Sequence, residues 1–343
     1  MSVTQRIKRS AKAFLQQAPN NQVVEWQNIP VLEPSDLVEI QRFFSRPKFF
    51  IFGHARSGTT LLARLIRVHP EVHCNWQAHF FTRPPFLDSL VQDEQVHEWL
   101  SRPSNRWNQG KDPSAMVLRA VADFLLEREA AQLGKRIVGD KSPNSLANGE
   151  SVIRMQQIYP DARLIFIIRD GRDAALSHRF QTFIDKAEYL TDEDTAIRQD
   201  FSKNPAPFLN GERSLFVPKG LQRAAQGWVE NVTQTHQLAQ KLYRDHYYSL
   251  RFEDLLETPW EKMSEIWSFL EADLDVEGLQ EALNYELTQN PDADWQQHKA
   301  EEIAEPLQKG KTGGWREMFT IKDRQLFLEI AGNTLQEWGY PLI

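Results

Sequence analysis

The sequence predicts an α/β fold of three layers, a central parallel sheet with helices on both faces. Two apolar runs, KFFIF at 48–52 and RLIFII at 163–168, have strand length and lack polar alternation. That is the pattern of strands buried on both faces, as in parallel sheets. Each run passes through a short turn into a helical pattern, and strand and helix patterns keep alternating along the chain. The 343 residues are 41% apolar, enough for one large core.

Taken in order, residues 1–45 read as an N-terminal helical arm, with helices near 4–17 and at 35–44. From 46 to 343 the chain reads as a single domain. The first strand leads into a helix at Thr59–Val68, where Leu61, Leu62, Leu65 and Ile66 recur at helical spacing. Val72–Cys74 is a short second strand. Residues 82–111 hold three prolines and little periodicity, and read as a loop. Ser114–Leu133 is a helix, Arg136–Gly139 a strand and Ser145–Tyr159 a helix. The strand Arg163–Ile168 precedes a helix at Asp173–Ile184. Residues 185–218, acidic and then rich in Pro and Gly, read as a mobile insertion. A long helix at Leu221–His246, a strand at Tyr248–Phe252 and a helix at Trp260–Leu270 follow. Ligands of such sheets sit at the carboxyl ends of the strands.

Forty basic residues face 47 acidic ones, a net charge of −7, which opposes nucleic acid and other polyanions as partners. The single cysteine, Cys74, excludes an intramolecular disulfide and fits a reducing compartment. The basic start MSVTQRIKRSAKAF lacks the apolar stretch of a signal peptide. No run approaches the ~20 apolar residues of a membrane span. A cytoplasmic protein is the expectation, in which Asn231-Val232-Thr233 matches a glycosylation acceptor by chance.

The first strand opens onto a loop with Gly53 and Gly58 followed by a helix, the layout of a phosphate loop. Backbone N–H groups and a helix N-terminus there converge on one anion. In a triphosphate loop a lysine comes next and the following hydroxyl holds Mg²⁺. Here Thr59 takes the lysine's place, Thr60 keeps the hydroxyl, and Arg56 lies inside the loop. With Ser57, Thr59 and Thr60 as hydroxyl donors, this P-loop-like turn suits a smaller anion without metal. Arg56-Ser57-Gly58-Thr59-Thr60 resembles the first signature, [KR]-[ST]-G-T-[ST], of sulfotransferases that use 3′-phosphoadenosine 5′-phosphosulfate (PAPS). ARSGTTLLARLIRVHPEVHC is similar to the protein-tyrosine sulfotransferase branch and its bacterial relatives. The resemblance implies that the loop holds the 5′-phosphosulfate and that Arg56 offsets charge on the bridging and sulfuryl oxygens.

RLIFIIRDGRDAALSH places Arg169 at a strand tip and Ser177 on the next helix, where the two could clamp one phosphate. PAPS-binding families carry such a pair on the 3′-phosphate. QKGKTGGWREMFT (308–320) resembles the C-terminal R-K-G-x-x-G-x-W-K-x-x-F-T of cytosolic sulfotransferases. Lys309, Gly310, Gly314, Trp315, Phe319 and Thr320 match, whereas the leading arginine is Gln308. The resemblance implies that this loop closes over the 3′-phosphate, with Lys309 or Lys311 supplying the missing charge.

For the chemistry, the resemblance assigns Lys141, in IVGDKSPNS, to the leaving-group side. The tyrosine-sulfotransferase branch places a glutamate twenty-one residues after the loop arginine, a position held here by Gln77, which argues against a tyrosine acceptor. His79, two residues on, is the candidate general base, with Asp140 as the alternative; His54 lies inside the loop, where it could touch ligand. Trp228 and Trp315 are candidates for an adenine slot. No His/Cys/Asp/Glu group has metal-ligand spacing, so no metal is expected. The implied activity is sulfuryl transfer from PAPS to a hydroxyl or an amine, in line and releasing PAP. A P-loop nucleotide kinase or hydrolase, or a non-catalytic nucleotide binder of the same fold, is the alternative. The stretches 80–111 and 185–218 are candidate acceptor or lid segments. Their aromatic and Pro-rich character points to a small-molecule or lipid-like alcohol.

Overall fold

Five strands, β1 (Lys48–Phe52), β2 (Val72–Trp76), β3 (Ile137–Lys141), β4 (Arg163–Ile168) and β5 (Tyr247–Arg251), pair in parallel in the order β2-β3-β1-β4-β5. This is a computed structural model, which describes residues 29–144, 146–289 and 312–342. The helix expected near 4–17 lies outside those residues. Around the sheet stand α1 (Pro34–Gln41), α2 (Thr59–Ile66), α3 (Glu94–Ser101), α4 (Ser114–Gln132), α5 (Glu150–Ile158), α6 (Gly171–Asp185) and α7 (Asp192–Lys203). They continue as α8 (Ala206–Leu209), α9 (Pro218–Tyr243), α10 (Phe252–Glu257), α11 (Pro259–Phe269), α12 (Leu279–Thr288), α13 (Trp315–Met318) and α14 (Ile321–Glu337).

Successive strand residues point to opposite faces, and here each face meets its own core. Phe50 and Phe52 of β1, with Leu164, Phe166 and Ile168 of β4, pack against Leu118, Met155, Trp228 and Phe327 from α4, α5, α9 and α14. Phe49, Ile51, Ile165 and Ile167 face Leu62, Leu65, Ile266 and Trp267 from α2 and α11. Burying one such side chain stabilises by about 1.5–3 kcal/mol, so a strand covered on both faces stays apolar throughout. The three layers expected from the sequence are present.

Register aligns the strand ends. Ile51 stands opposite Lys141 and Ile165, Trp76 opposite Lys141, and Ile168 opposite Arg251. The chain therefore leaves β1, β2, β3 and β4 along one rim, where the candidate residues cluster. Long α9 opens at Pro218, and its buried Leu221, Ala225, Trp228, Val232, Thr235 and Ala239 recur every three or four residues.

Three expectations need correction. Residues 82–111 are not all loop: a 3₁₀ turn at Leu87–Val91 and helix α3 lie within them. Asp93 caps α3 by accepting from the N–H groups of Gln95 and Val96, and the prolines fall outside the helix. Residues 185–218 are not irregular chain but are built around α7 and α8. Thr191 caps α7, Asp192, Glu193 and Asp194 suit its N-terminus, and Phe201 and Phe208 are buried in the core. The acidic run is thus a helix start. The helix expected from 145 begins at Glu150, preceded by Asn144, which accepts from Ser151 Oγ.

Candidate active site

The loop after β1 turns tightly. Ser57 donates its N–H to the His54 carbonyl at 3.1 Å, and Arg56 and Gly58 both have left-handed backbones, at φ 73° and 89°. At Gly58 a Cβ would lie 2.2 Å from the Phe252 ring, so glycine is required by both conformation and space. This packing aims the first N–H groups of α2, which have no acceptor within the helix, at the space over the strand ends. Ser57 Oγ is buried without a hydrogen-bond partner among the described residues. Thr59 is buried and Thr60 exposed. Burial lowers the His54 pKa to about 4, so its imidazole is neutral at pH 7.

The second motif meets the first. Arg56 Nε donates to Ser177 Oγ at 3.0 Å, and Arg169 Nη1 donates to the Arg56 carbonyl at 3.1 Å. Neighbouring charges in the same motif serve the framework. Asp170 caps α6, accepting from the Arg172 N–H and from Nε and Nη2 of the same residue. Arg172 is fully buried and stacks 3.6 Å from the Trp315 ring. Asp173 accepts from the backbone N–H groups of Gly313 at 2.6 Å and Trp315 at 3.1 Å. The C-terminal segment is thereby fastened to the start of α6. Burial raises the Asp173 pKa, against the pull of those N–H groups and of Arg169. Lys309, Gly310 and Lys311 lie outside the described residues.

Lys141 is the last residue of β3, one strand to the other side of β1. Its buried Nζ lies 3.3 Å from Thr60 Oγ1 and 5.1 Å from the centre of the Trp76 ring. Burial lowers its pKa, with the Cys74 and Asp140 side chains opposing. The segment after β2 is stitched to β3 by three bonds. Gln77 N–H donates to the Lys141 carbonyl, Ala78 N–H to Asp140 Oδ1, and His79 N–H to Ser142 Oγ, at 2.8, 3.0 and 3.0 Å. Gln77 and His79 take left-handed backbones, at φ 54° and 53°, to make them. His79 Nδ1 is 2.7 Å from Thr82 Oγ1. Burial, Arg83 and Lys141 lower the His79 pKa. Asp140 accepts from Ser142 Oγ at 2.5 Å, and burial pushes its pKa up to about 6.

Both tryptophans expected at an adenine slot are core residues. Trp228 is 1% exposed and packs on Gly171, where a Cβ would meet the indole at 2.5 Å; its Nε1 donates to the Arg169 carbonyl. Trp315 is 2% exposed between Arg172 and Arg316. Their large apolar surface is better buried than left for a ligand. Trp76, by contrast, is 45% exposed beside Lys141. Its place after an apolar β-pattern, next to Gln77 and His79, was the sequence signal for a site residue. Asn231 of the glycosylation-like triplet is buried and donates to the Leu146 carbonyl. Among the described residues no group of three or more His, Cys, Asp or Glu side chains is placed to hold a metal.

Fold and site together define an α/β protein with a lysine-free phosphate loop joined to an arginine–serine pair. The chain belongs to the sulfotransferase family, whose model matches residues 47–276. It is 30% identical over 131 residues to protein-tyrosine sulfotransferase A of Caenorhabditis elegans, covering 37% of this chain and 31% of that one. To the protein-tyrosine sulfotransferase of Drosophila melanogaster it is 25% identical over 229 residues, covering 66% and 38%. The chain thus spans about a third of the length of these relatives. Among solved structures, a sulfotransferase from Alicyclobacillus acidocaldarius aligns with a TM-score of 0.46 at 20% identity, over 86% of this chain and 97% of that one. A mouse sulfotransferase complexed with PAP aligns at 0.45 and 15%, over 89% and 94%.

Proposed function

We propose that this chain is a PAPS-dependent sulfotransferase that moves a sulfuryl group in line to a hydroxyl of a small amphipathic acceptor, releasing PAP. The observation that carries this is the contact of Arg56 with Ser177, which joins the phosphate loop to the second motif at one place. A triphosphate loop has no need of that second motif. The residues present fit the nucleotide: a buried, unpartnered hydroxyl at Ser57, a helix N-terminus, and arginines on two elements.

When bound, PAPS supplies the sulfuryl group. Ser57, Gly58, Thr59 and Thr60 hold the 5′-phosphosulfate end through N–H and hydroxyl donors. Arg169 and Ser177 hold the 3′-phosphate end. Arg56 and Lys141, on opposite sides of the loop, neutralise charge as it develops on the leaving oxygen. His79 accepts the acceptor's proton at Nε2, its Nδ1 being engaged with Thr82. Its lowered pKa keeps the imidazole neutral near pH 7. Gln77 stands where the tyrosine-sulfotransferase branch has its glutamate, so a tyrosine within a protein is not the acceptor proposed.

Thermal melting with nucleotides tests this. PAP is expected to raise the melting temperature well above any effect of ATP or 5′-AMP, with or without Mg²⁺. At about 100 Kd a ligand adds ~2.7 kcal/mol, a readily measured shift. Equal protection by ATP and PAP would overturn the assignment of Arg169 and Ser177.

A further inference from the structure

The strand order places the two sides of the site. β1 and its loop are central; β4, with Arg169 and Ser177, lies to one side, and β3 and β2, with Lys141, His79 and Trp76, lie to the other. If nucleotide occupies the β4 side, as proposed above, the acceptor approaches over β3 and β2. On that side an open cleft of about 210 Å³ is lined by Arg64, Arg67, Val68, Trp76 and Glu286.

Helix α2 runs from the reacting end to this cleft. Thr60, which touches Lys141, shares a helix face with Arg64 and Arg67, four and seven residues on. At 1.5 Å per residue, Arg67 begins about 10 Å from Thr60. Trp76 bridges the same interval, its ring 5.1 Å from Lys141 Nζ and 5.5 Å from Arg67 Cζ. The indole therefore offers a flat, half-exposed surface between the catalytic lysine and a guanidinium. Charge in the cleft is unbalanced. Arg64 is matched by Glu286 at 2.6 Å, whereas among the described residues the carboxylate paired with Arg67, that of Glu129, is 4.0 Å away and half exposed. Arg67 otherwise donates to the Cys74 carbonyl at 3.3 Å.

On the sulfotransferase function proposed above, we propose that this cleft is the acceptor subsite. It takes a planar alcohol or phenol that lies on Trp76 and carries a carboxylate or similar anion about 10 Å from its hydroxyl, held by Arg67. Trp76 and Arg67 set specificity and leave the chemistry to Lys141 and His79.

The test measures binding of 3-(4-hydroxyphenyl)propanoate and its neutral methyl ester by calorimetry in the presence of PAP. The acid is expected to bind about tenfold tighter than the ester, the scale of one partly exposed charged hydrogen bond. Arg67→Gln is expected to bring the ratio near one, Arg67→Lys to retain part of it, and Trp76→Ala to weaken both ligands. Equal affinities in the wild type, a ratio kept in Arg67→Gln, or no binding of the acid would overturn the proposal. PAP-induced melting on the same samples reads the nucleotide site separately. Failure of PAP to raise the melting temperature, with the acid preference intact, would sink the sulfotransferase function and leave Arg67 and Trp76 as a binding site for the acid.

Discussion

Arg56 and Ser177, 121 positions apart in the chain, meet through a 3.0 Å hydrogen bond from Nε to Oγ. Because the serine oxygen accepts from the guanidinium, its own proton is left to donate toward an anion. One contact thus sets the spacing between two motifs that the sequence holds far apart.

Arg169→Ala is expected to weaken PAP by about 1.5–3 kcal/mol, the cost of losing a charged hydrogen-bond donor to a phosphate. Adenosine 5′-phosphosulfate, which has no 3′-phosphate, is expected to bind wild type and variant alike. Calorimetry with both ligands decides. Equal losses would make Arg169 only a brace for the Arg56 carbonyl it bonds.

His79→Ala is expected to lower turnover by roughly 10²–10⁴ with PAP affinity nearly unchanged. A general base works when neutral, and the pKa of His79 lies below the ordinary 6.5 through burial, Arg83 and Lys141. The rate is therefore expected to be level near pH 7 and to fall on acidification, with its inflection below 6.5. A His79→Ala enzyme that keeps full turnover would move the base to Asp140, whose pKa of about 6 also suits the task.

Gly58→Ala is expected to destabilise the fold by about 2–4 kcal/mol, combining a left-handed backbone with overpacking. The Cβ would stand 2.2 Å from Phe252, at the point where the loop rests on α10. Urea unfolding measures the loss. A stable variant that still binds PAP would contradict the packing described for the loop.

Trp228→Phe separates core from nucleotide contact. As a core residue it is expected to lose about 1–3 kcal/mol of stability, from lost volume and the bond to the Arg169 carbonyl. Its effect on PAP affinity is expected to stay below about threefold, which is under 1 kcal/mol. A large affinity loss with unfolding midpoints intact would place the indole against the nucleotide.

The sheet was legible because its signals are local. KFFIF and RLIFII declare strands buried on both faces, and each leads at once into its loop and helix. The two prolines at 84 and 85, by contrast, hid α3, whose cap at Asp93 was the readable sign. In 185–218 acidic composition outweighed the three buried phenylalanines, Phe201, Phe208 and Phe216, that hold the segment to the core.

By itself the sequence determined the strand–loop–helix that carries Arg56 through Thr60 and the tip that carries Arg169, since both depend on neighbours within a few residues. Only the tertiary structure decided that Trp228 and Trp315 are core while Trp76 is open, and that Asp173 fastens Gly313 and Trp315. It also stitched residues 77–79 onto β3, bringing His79 to the side of Lys141. Burial and hydrogen bonding between distant segments follow from how helices and strands pack, and a large aromatic or charged residue has the same local pattern on either side of that packing.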